Sequence, residues 1–382
     1  MRGRGAAAIA AATALNLPFG TLYAFSVFLK PMEALLGVGR AQMSFVFGLA
    51  TITLTAGMNL APALYHALSP GVLALGCGIV SAAGLILAAT AGSFTQFALG
   101  YGVLFGLGAG VGFILVQQAV NQTVGAKSGL ANGYVVGLYP LGAMIGAPAF
   151  GWAIEAFGMR ATLAGLGVTV LVSCAIAAAF LHLAAIAMHD ASAPATSDED
   201  PQWRVFMQLA TVFFLAAAAG LMVMSQAAGI VQAYGGQTLI AVGATTIITG
   251  AVGAARIGGG WLVDRFAVPV VAVGAHLFSL LGTIILSVWP SPIVAVPALS
   301  MIGIGYGIMS GLTAAAIARY WHRNAFGRVA GRLYVAWCAA AISLPVLAGW
   351  LYDLTQGYRT AVLIAAAVNI LGVWVASRLP RP

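Results

Sequence analysis

Hydrophobic and polar positions in this chain change over on the scale of whole helices rather than of single turns. Apolar runs lie at about 6–29, 41–64, 71–91, 97–119, 130–154 and 161–186, then at about 205–230, 239–263, 269–289, 293–318, 329–351 and 358–379. Each is close to the ~20 residues that a helix needs to cross a hydrocarbon core. Between the sixth and seventh runs, His189–Arg204 is polar and holds Pro194, Pro201 and four acids. The pattern predicts an all-α membrane protein of twelve transmembrane helices. It would comprise an N-terminal six-helix half (residues 1–187), a cytoplasmic linker (188–204) and a C-terminal six-helix half (205–382).

Composition agrees. Hydrophobic residues make up 62% and charged residues 6% of the chain, with a mean hydropathy of +1.01, whereas soluble domains carry about 25% charged residues. The net charge of +8 sits in short loops, which speaks for orientation on a membrane and against nucleic acid. With the amino terminus inside, eleven Lys and Arg fall on the cytoplasmic side and four (Lys30, Arg40, Arg160 and Arg359) on the outer side, so both termini are expected in the cytoplasm of a multi-pass cell-membrane protein. Cys77, Cys174 and Cys338 each lie in an apolar run without ligand spacing, so neither a metal nor another cofactor is expected. No run brings His, Asp, Glu or Cys together at i, i+3 or i+4, which argues against a membrane-embedded enzyme.

The halves repeat one another. Gly102-x3-Gly106-x3-Gly110 in the fourth run recurs as Gly303-x3-Gly307-x3-Gly311 in the tenth, an offset of 201 residues by subtraction. Gly129-x3-Gly133 recurs as Gly327-x3-Gly331, an offset of 198. Pro148-AF-Gly151-Trp152-AI-Glu155 recurs as Pro345-VLA-Gly349-Trp350-LY-Asp353. Small residues every fourth position let helix backbones approach closely in lipid, and three matched sets in order argue for a duplication. A solute site is then expected near the midplane, between the halves.

One cation lies inside a run: Arg256, in Ala251–Arg265. The eight acids fall at run ends or in the linker, with Asp264 eight residues along, about 12 Å at ~1.5 Å per residue. A mid-membrane arginine normally faces a cavity and marks a solute path, so the expectation is that the solute supplies the anion. The alternative is that Arg256 snorkels to the interface.

The eighth run ends Gly258-Gly-Gly-Trp-Leu262-Val-Asp264-Arg265. This resembles the Gly-x-Leu-x-Asp-Arg signature of the major facilitator superfamily in its second-half copy, implying the major facilitator fold. Asp264 at a helix end can cap a neighbouring helix and pair with Arg328 or Arg332, so Asp264, Arg265, Arg328 and Arg332 are the expected gate. The alternative is a solvated loop pair. The first-half copy has His66 and Ala67 in place of the aspartate and arginine.

Lys127-Ser-Gly-Leu-Ala-Asn-Gly133, Ala255-Arg256 and Gly349-Trp-Leu-Tyr-Asp353 further resemble the oxalate/formate antiporter group and the related monocarboxylate carriers. The resemblance implies that Arg256 binds a carboxylate. Where the oxalate exchangers carry a lysine in the eleventh helix, this chain has Trp337. It also implies that helices one, five, ten and eleven line the cavity, which makes Tyr23, Tyr139, Tyr306, Tyr334 and Trp337 solute-binding candidates. Helix packing is the competing role for each.

The resulting expectation is a secondary active transporter of a small organic anion, namely a monocarboxylate, working by alternating access as a monomer in the lipid bilayer. A proton or a counter-anion would provide coupling. A carrier of another, drug-like solute is the rival.

Overall fold

The computed structural model describes residues 2–65, 67–124, 129–186, 188 and 200–381, nearly all of them helical. His66, Lys127, His189 and most of the expected linker lie outside the described residues. Among the described residues twelve helices are long and apolar enough to cross a membrane. They are α1 (Gly3–Ala24), α2 (Gln42–Leu64), α3 (Pro70–Ala89), α4 (Phe94–Val124), α5 (Gly129–Phe157) and α6 (Met159–Leu183), followed by α7 (Gln202–Ala233), α8 (Gly243–Val263), α9 (Val268–Val288), α10 (Pro292–Tyr320), α11 (Arg323–Thr355) and α12 (Arg359–Ala376).

Two of these depart from the even apolar runs. The run expected over 6–29 breaks near its end. Thr21 donates its hydroxyl to the Pro18 carbonyl at 2.5 Å, competing with the amide that would continue the helix. The chain tightens into a 3-10 turn over Thr21–Ala24 and resumes as a separate helix, Ser26–Leu36. Gly37 stops that helix at φ +63°, where only glycine is unstrained. In α4 the stretch Ala98–Phe105 is π-helical. Beside it α3 and α4 touch backbone to backbone: a Cβ on Gly100 would stand 2.5 Å from the Gly84 carbonyl oxygen, and one on Gly84 2.5 Å from that of Gly100.

The chain forms two compact units, and the boundary between them passes through two helices. Unit 1 is Met1–Gly125, Leu138–Ala193 and Trp321–Tyr334; unit 2 is Ala126–Gly137, Pro194–Tyr320 and Val335–Pro382. The opening turns of α5 therefore belong with unit 2, and those of α11 with unit 1. Within unit 1, α4 packs on α1, α2 and α3, and α6 on α1 and α3. Within unit 2, α10 packs on α7, α8 and α9, and α12 on α7 and α9. The second pattern is the first shifted by six helices, as the glycine offsets imply.

The glycines are the contact points. In unit 1 a Cβ on Gly110 would collide with the Leu54 carbonyl of α2; in unit 2 one on Gly311 would collide with the Arg256 carbonyl of α8. Leu54 and Arg256 thus occupy matching places in the contacts of α2 with α4 and of α8 with α10. Gly311→Ala should lower thermal stability by about 1–3 kcal/mol, the usual range for overpacking. Gly274→Ala on α9, where an added Cβ meets nothing within 4 Å, should be tolerated. Comparing the melting temperatures of the two variants checks this.

Candidate functional site

Arg256 is 3% exposed, and no other Lys, Arg, Asp or Glu among the described residues is buried. Within unit 2 its guanidinium reaches two neighbouring helices. Nη1 donates to the Val136 carbonyl of α5 at 3.1 Å, and Nη2 donates to the Tyr306 hydroxyl of α10 at 2.9 Å. The guanidinium carbon lies 5.3 Å from the centre of the Tyr306 ring, within cation–π range. Trp337 of α11 donates its indole N–H to the same hydroxyl at 2.8 Å. Arg256, Tyr306 and Trp337 therefore form one connected group. The indole N–H of Trp337 is thus engaged by Tyr306.

The Tyr306 oxygen receives two donors, which occupies both its lone pairs and leaves its own O–H as a donor. The group can thus offer an anion a guanidinium and a phenol O–H in a dry setting, where such bonds are strongest. Gly220 of α7 makes room for Tyr306, since a Cβ there would run into the ring.

α5 reaches Arg256 because both helices are thin where they meet. A Cβ on Gly133 would stand 2.5 Å from the Arg256 carbonyl oxygen, and one on Gly137 3.1 Å from that of Gly253. Gly129 and Gly260 exclude a side chain on each other in the same way. At that end Asp264 accepts the Gly129 amide at 2.7 Å with Oδ1 and the Leu130 amide at 2.9 Å with Oδ2. A carboxylate there satisfies orphan amides and faces the positive end of the helix dipole. Arg265 turns away and stacks on Trp261, 3.9 Å from the ring centre. Arg328, half-buried, and Arg332, exposed, stand on the opening turns of α11 and belong to unit 1.

In unit 1 the matching place is filled differently. Gln118 of α4 accepts the Gly327 amide at 2.9 Å and donates to the Arg323 carbonyl at 2.9 Å, while Asn59 of α2 donates to the Gly331 carbonyl at 2.9 Å. A neutral carboxamide serves α11 where a carboxylate serves α5. No pattern along α4 points to Gly327, which lies 209 residues from Gln118.

The other three candidates, Tyr23, Tyr139 and Tyr334, also belong to unit 1, grouped around Phe113, a residue the sequence reading passed over. Phe113 meets Tyr139 edge-on at 4.8 Å and Tyr334 at 5.3 Å, and Tyr139 meets Tyr23 at 5.8 Å. Tyr139 donates its hydroxyl to the Ala109 carbonyl at 3.1 Å. Among the described residues no three His, Cys, Asp or Glu come together as a metal site.

Comparison with known proteins gives the family and the fold. Residues 9–343 match the family model of the Major Facilitator Superfamily. The chain is 27% identical to the uncharacterized MFS-type transporter YhjX of Escherichia coli, over 69% of its own length and 67% of that protein's. It is 26% identical to monocarboxylate transporter 13 of Rattus norvegicus, over 96% and 86% of the two lengths. Its fold matches FucP, the fucose:proton symporter of E. coli, in the outward conformation, with a TM-score of 0.69 at 17% identity over 98% of this chain and 99% of that one.

Tyr306→Phe tests the connected group. It removes the common acceptor of two buried donors, each costing about 1–3 kcal/mol when orphaned. The variant should melt at a lower temperature than wild type, and an unchanged melting point would contradict the arrangement.

Proposed function

This chain belongs to the Major Facilitator Superfamily, and from that premise we propose that the solute it carries is a small organic anion, namely a monocarboxylate, bound by Arg256. It is a secondary carrier in a membrane that it crosses with twelve helices. One observation carries the choice of solute: the buried guanidinium of Arg256, presented together with the Tyr306 hydroxyl and the Trp337 ring. A relative whose name is monocarboxylate transporter 13 agrees with it.

In this reading the two halves, residues 1–187 and 205–382, rock about the bound anion with both termini in the cytoplasm. Asp264 holds the opening turns of α5 when the cytoplasmic side is closed, and Arg265, Arg328 and Arg332 are the further residues of the proposed gate. Arg256 is the single buried Lys or Arg among the described residues. A second carboxylate would leave water without a cation facing it, a penalty of several kcal/mol. Even ~3 kcal/mol is more than a hundredfold in affinity.

Butyrate against succinate, and benzoate against terephthalate, should therefore compete in favour of the monoanion at neutral pH in binding to the purified protein. Arg256→Ala should abolish that binding while the protein still inserts. Arg256→Lys should largely fail too, because lysine lacks the planar two-pronged fork. Normal carboxylate binding by Arg256→Ala would sink the proposal.

Asp264→Asn keeps one acceptor oxygen and loses the charge. It should raise the population open to the cytoplasm with little change in equilibrium binding. Labelling of a cysteine placed on the cytoplasmic part of the path should accelerate; no increase would count against the gate.

A further inference from the structure

Val136, which receives Arg256, sits four residues before Pro140 in α5. In an α-helix the carbonyl of residue 136 takes its hydrogen bond from the amide of residue 140. Proline has no amide hydrogen, so the sequence itself withdraws the helical partner of this one carbonyl. Arg256 takes the place of that partner, at 3.1 Å.

The repeat provides an internal control. By the 198-residue offset, Val136 corresponds to Tyr334 and Pro140 to Cys338, which has an amide hydrogen. In the contact of α11 with α2 the place of Arg256 is held by Met58: a Cβ on Gly331 would stand 2.8 Å from the Met58 carbonyl oxygen, as one on Gly133 would stand 2.5 Å from that of Arg256. Proline and arginine therefore occur together in one of the two equivalent helix contacts, α5 with α8, and both are missing from the other, α11 with α2. The later proline, Pro148, recurs as Pro345 in both copies, so it belongs to the shared architecture.

Resting on the reading of Arg256 as the carboxylate ligand, we propose that Pro140 is a positioning residue: by freeing the Val136 carbonyl it gives Arg256 a resting acceptor on α5, which the solute's carboxylate displaces, releasing α5 from α8. A carboxylate outbids a carbonyl for a guanidinium because both partners are then charged. A neutral solute of the same shape offers another uncharged acceptor and has no such advantage. The latch therefore selects for charge as well as for fit, and it links anion binding to the freedom of residues 129–137.

The resting bond also lowers the apparent affinity, since only Arg256 that has let go is competent to bind. Pro140→Ala restores the amide that the Val136 carbonyl lacks, so the helix reclaims it. The variant should bind benzoate about tenfold more tightly than wild type, which is what one hydrogen bond to a charged group is worth. Pro148→Ala should bind as wild type does, which separates the freed carbonyl from a general straightening of α5.

Calorimetric titration of the purified full-length protein with benzoate reads these outcomes. Unchanged or weaker binding by Pro140→Ala, with binding abolished in Arg256→Ala, overturns the latch and leaves the carboxylate reading standing. Undiminished benzoate binding by Arg256→Ala, or no binding by wild type, overturns that reading and the latch with it. If Pro140→Ala does not fold, hydrogen exchange of residues 129–137 in wild type decides. Saturating benzoate should speed their exchange while benzamide should not; unchanged or slower exchange with benzoate overturns the latch.

Discussion

A guanidinium buried within a membrane-spanning helix cannot turn to water, so the surrounding protein has to satisfy it. Much of the construction of unit 2 follows from that requirement at Arg256. Tyr306 must bring a hydroxyl to Nη2, and Gly220 clears the space for its ring. α5 must bring a carbonyl to Nη1, and the glycines at 133 and 137 let its backbone come close enough. Gly311 lets α10 lie directly on the Arg256 carbonyl. Moving the charge one residue along α8 would turn it by about 100° and lose all of these partners together.

The repeated framework can carry a buried charge in one half and an apolar residue in the other. Both copies use the same helix pairings and the same small-residue contacts, so the framework accepts either a leucine or an arginine at the matching place. Leu54 asks nothing of its neighbours, whereas Arg256 needs a hydroxyl and a free carbonyl. The same split appears at the helix ends, where Gln118 serves Gly327 with a dipole and Asp264 serves Gly129 and Leu130 with a full charge. Among the described residues the buried charge lies in one copy, while Tyr139, placed like Trp337 by the 198-residue offset, sits in an aromatic cluster in the other.

The spans and the repeat were legible in the sequence because they depend on composition and on spacing along one helix. α9, for example, runs Val268–Val288 against an apolar run at about 269–289. Arg256 was legible for the same reason: one charge in an apolar run is conspicuous whatever the fold. Its partners were not. Val136 and Tyr306 are 120 and 50 residues away, and no pattern along α8 points to either. The role of Asp264 as a helix cap could be anticipated from its position at a helix end, but not which amides it would meet. The break after Pro18 was missed because an apolar run reports burial in lipid and is silent on whether a hydroxyl such as that of Thr21 competes for a carbonyl.

The contact between α5 and α8 has an energetic character suited to being made and broken. Helices meeting through glycine bury backbone and little side chain, and in lipid there is no hydrophobic gain from burying apolar surface. The contact therefore depends heavily on its two polar anchors, Asp264 on the amides of Gly129 and Leu130, and Arg256 on the carbonyl of Val136. The anchors are spaced alike on the two antiparallel helices: seven residues on α5, about 10.5 Å, and eight on α8, about 12 Å. With hydrogen bonds to charged groups worth about 1.5–3 kcal/mol each, the three together are comparable with the roughly 5.5 kcal/mol that carries a two-state equilibrium from 1:99 to 99:1. A contact with many more polar anchors would be too strong for one small ligand to open, and a contact without anchors would not hold. Glycine backbones joined by a few charged hydrogen bonds lie between these limits, and one of the bonds belongs to Arg256, the proposed anion ligand.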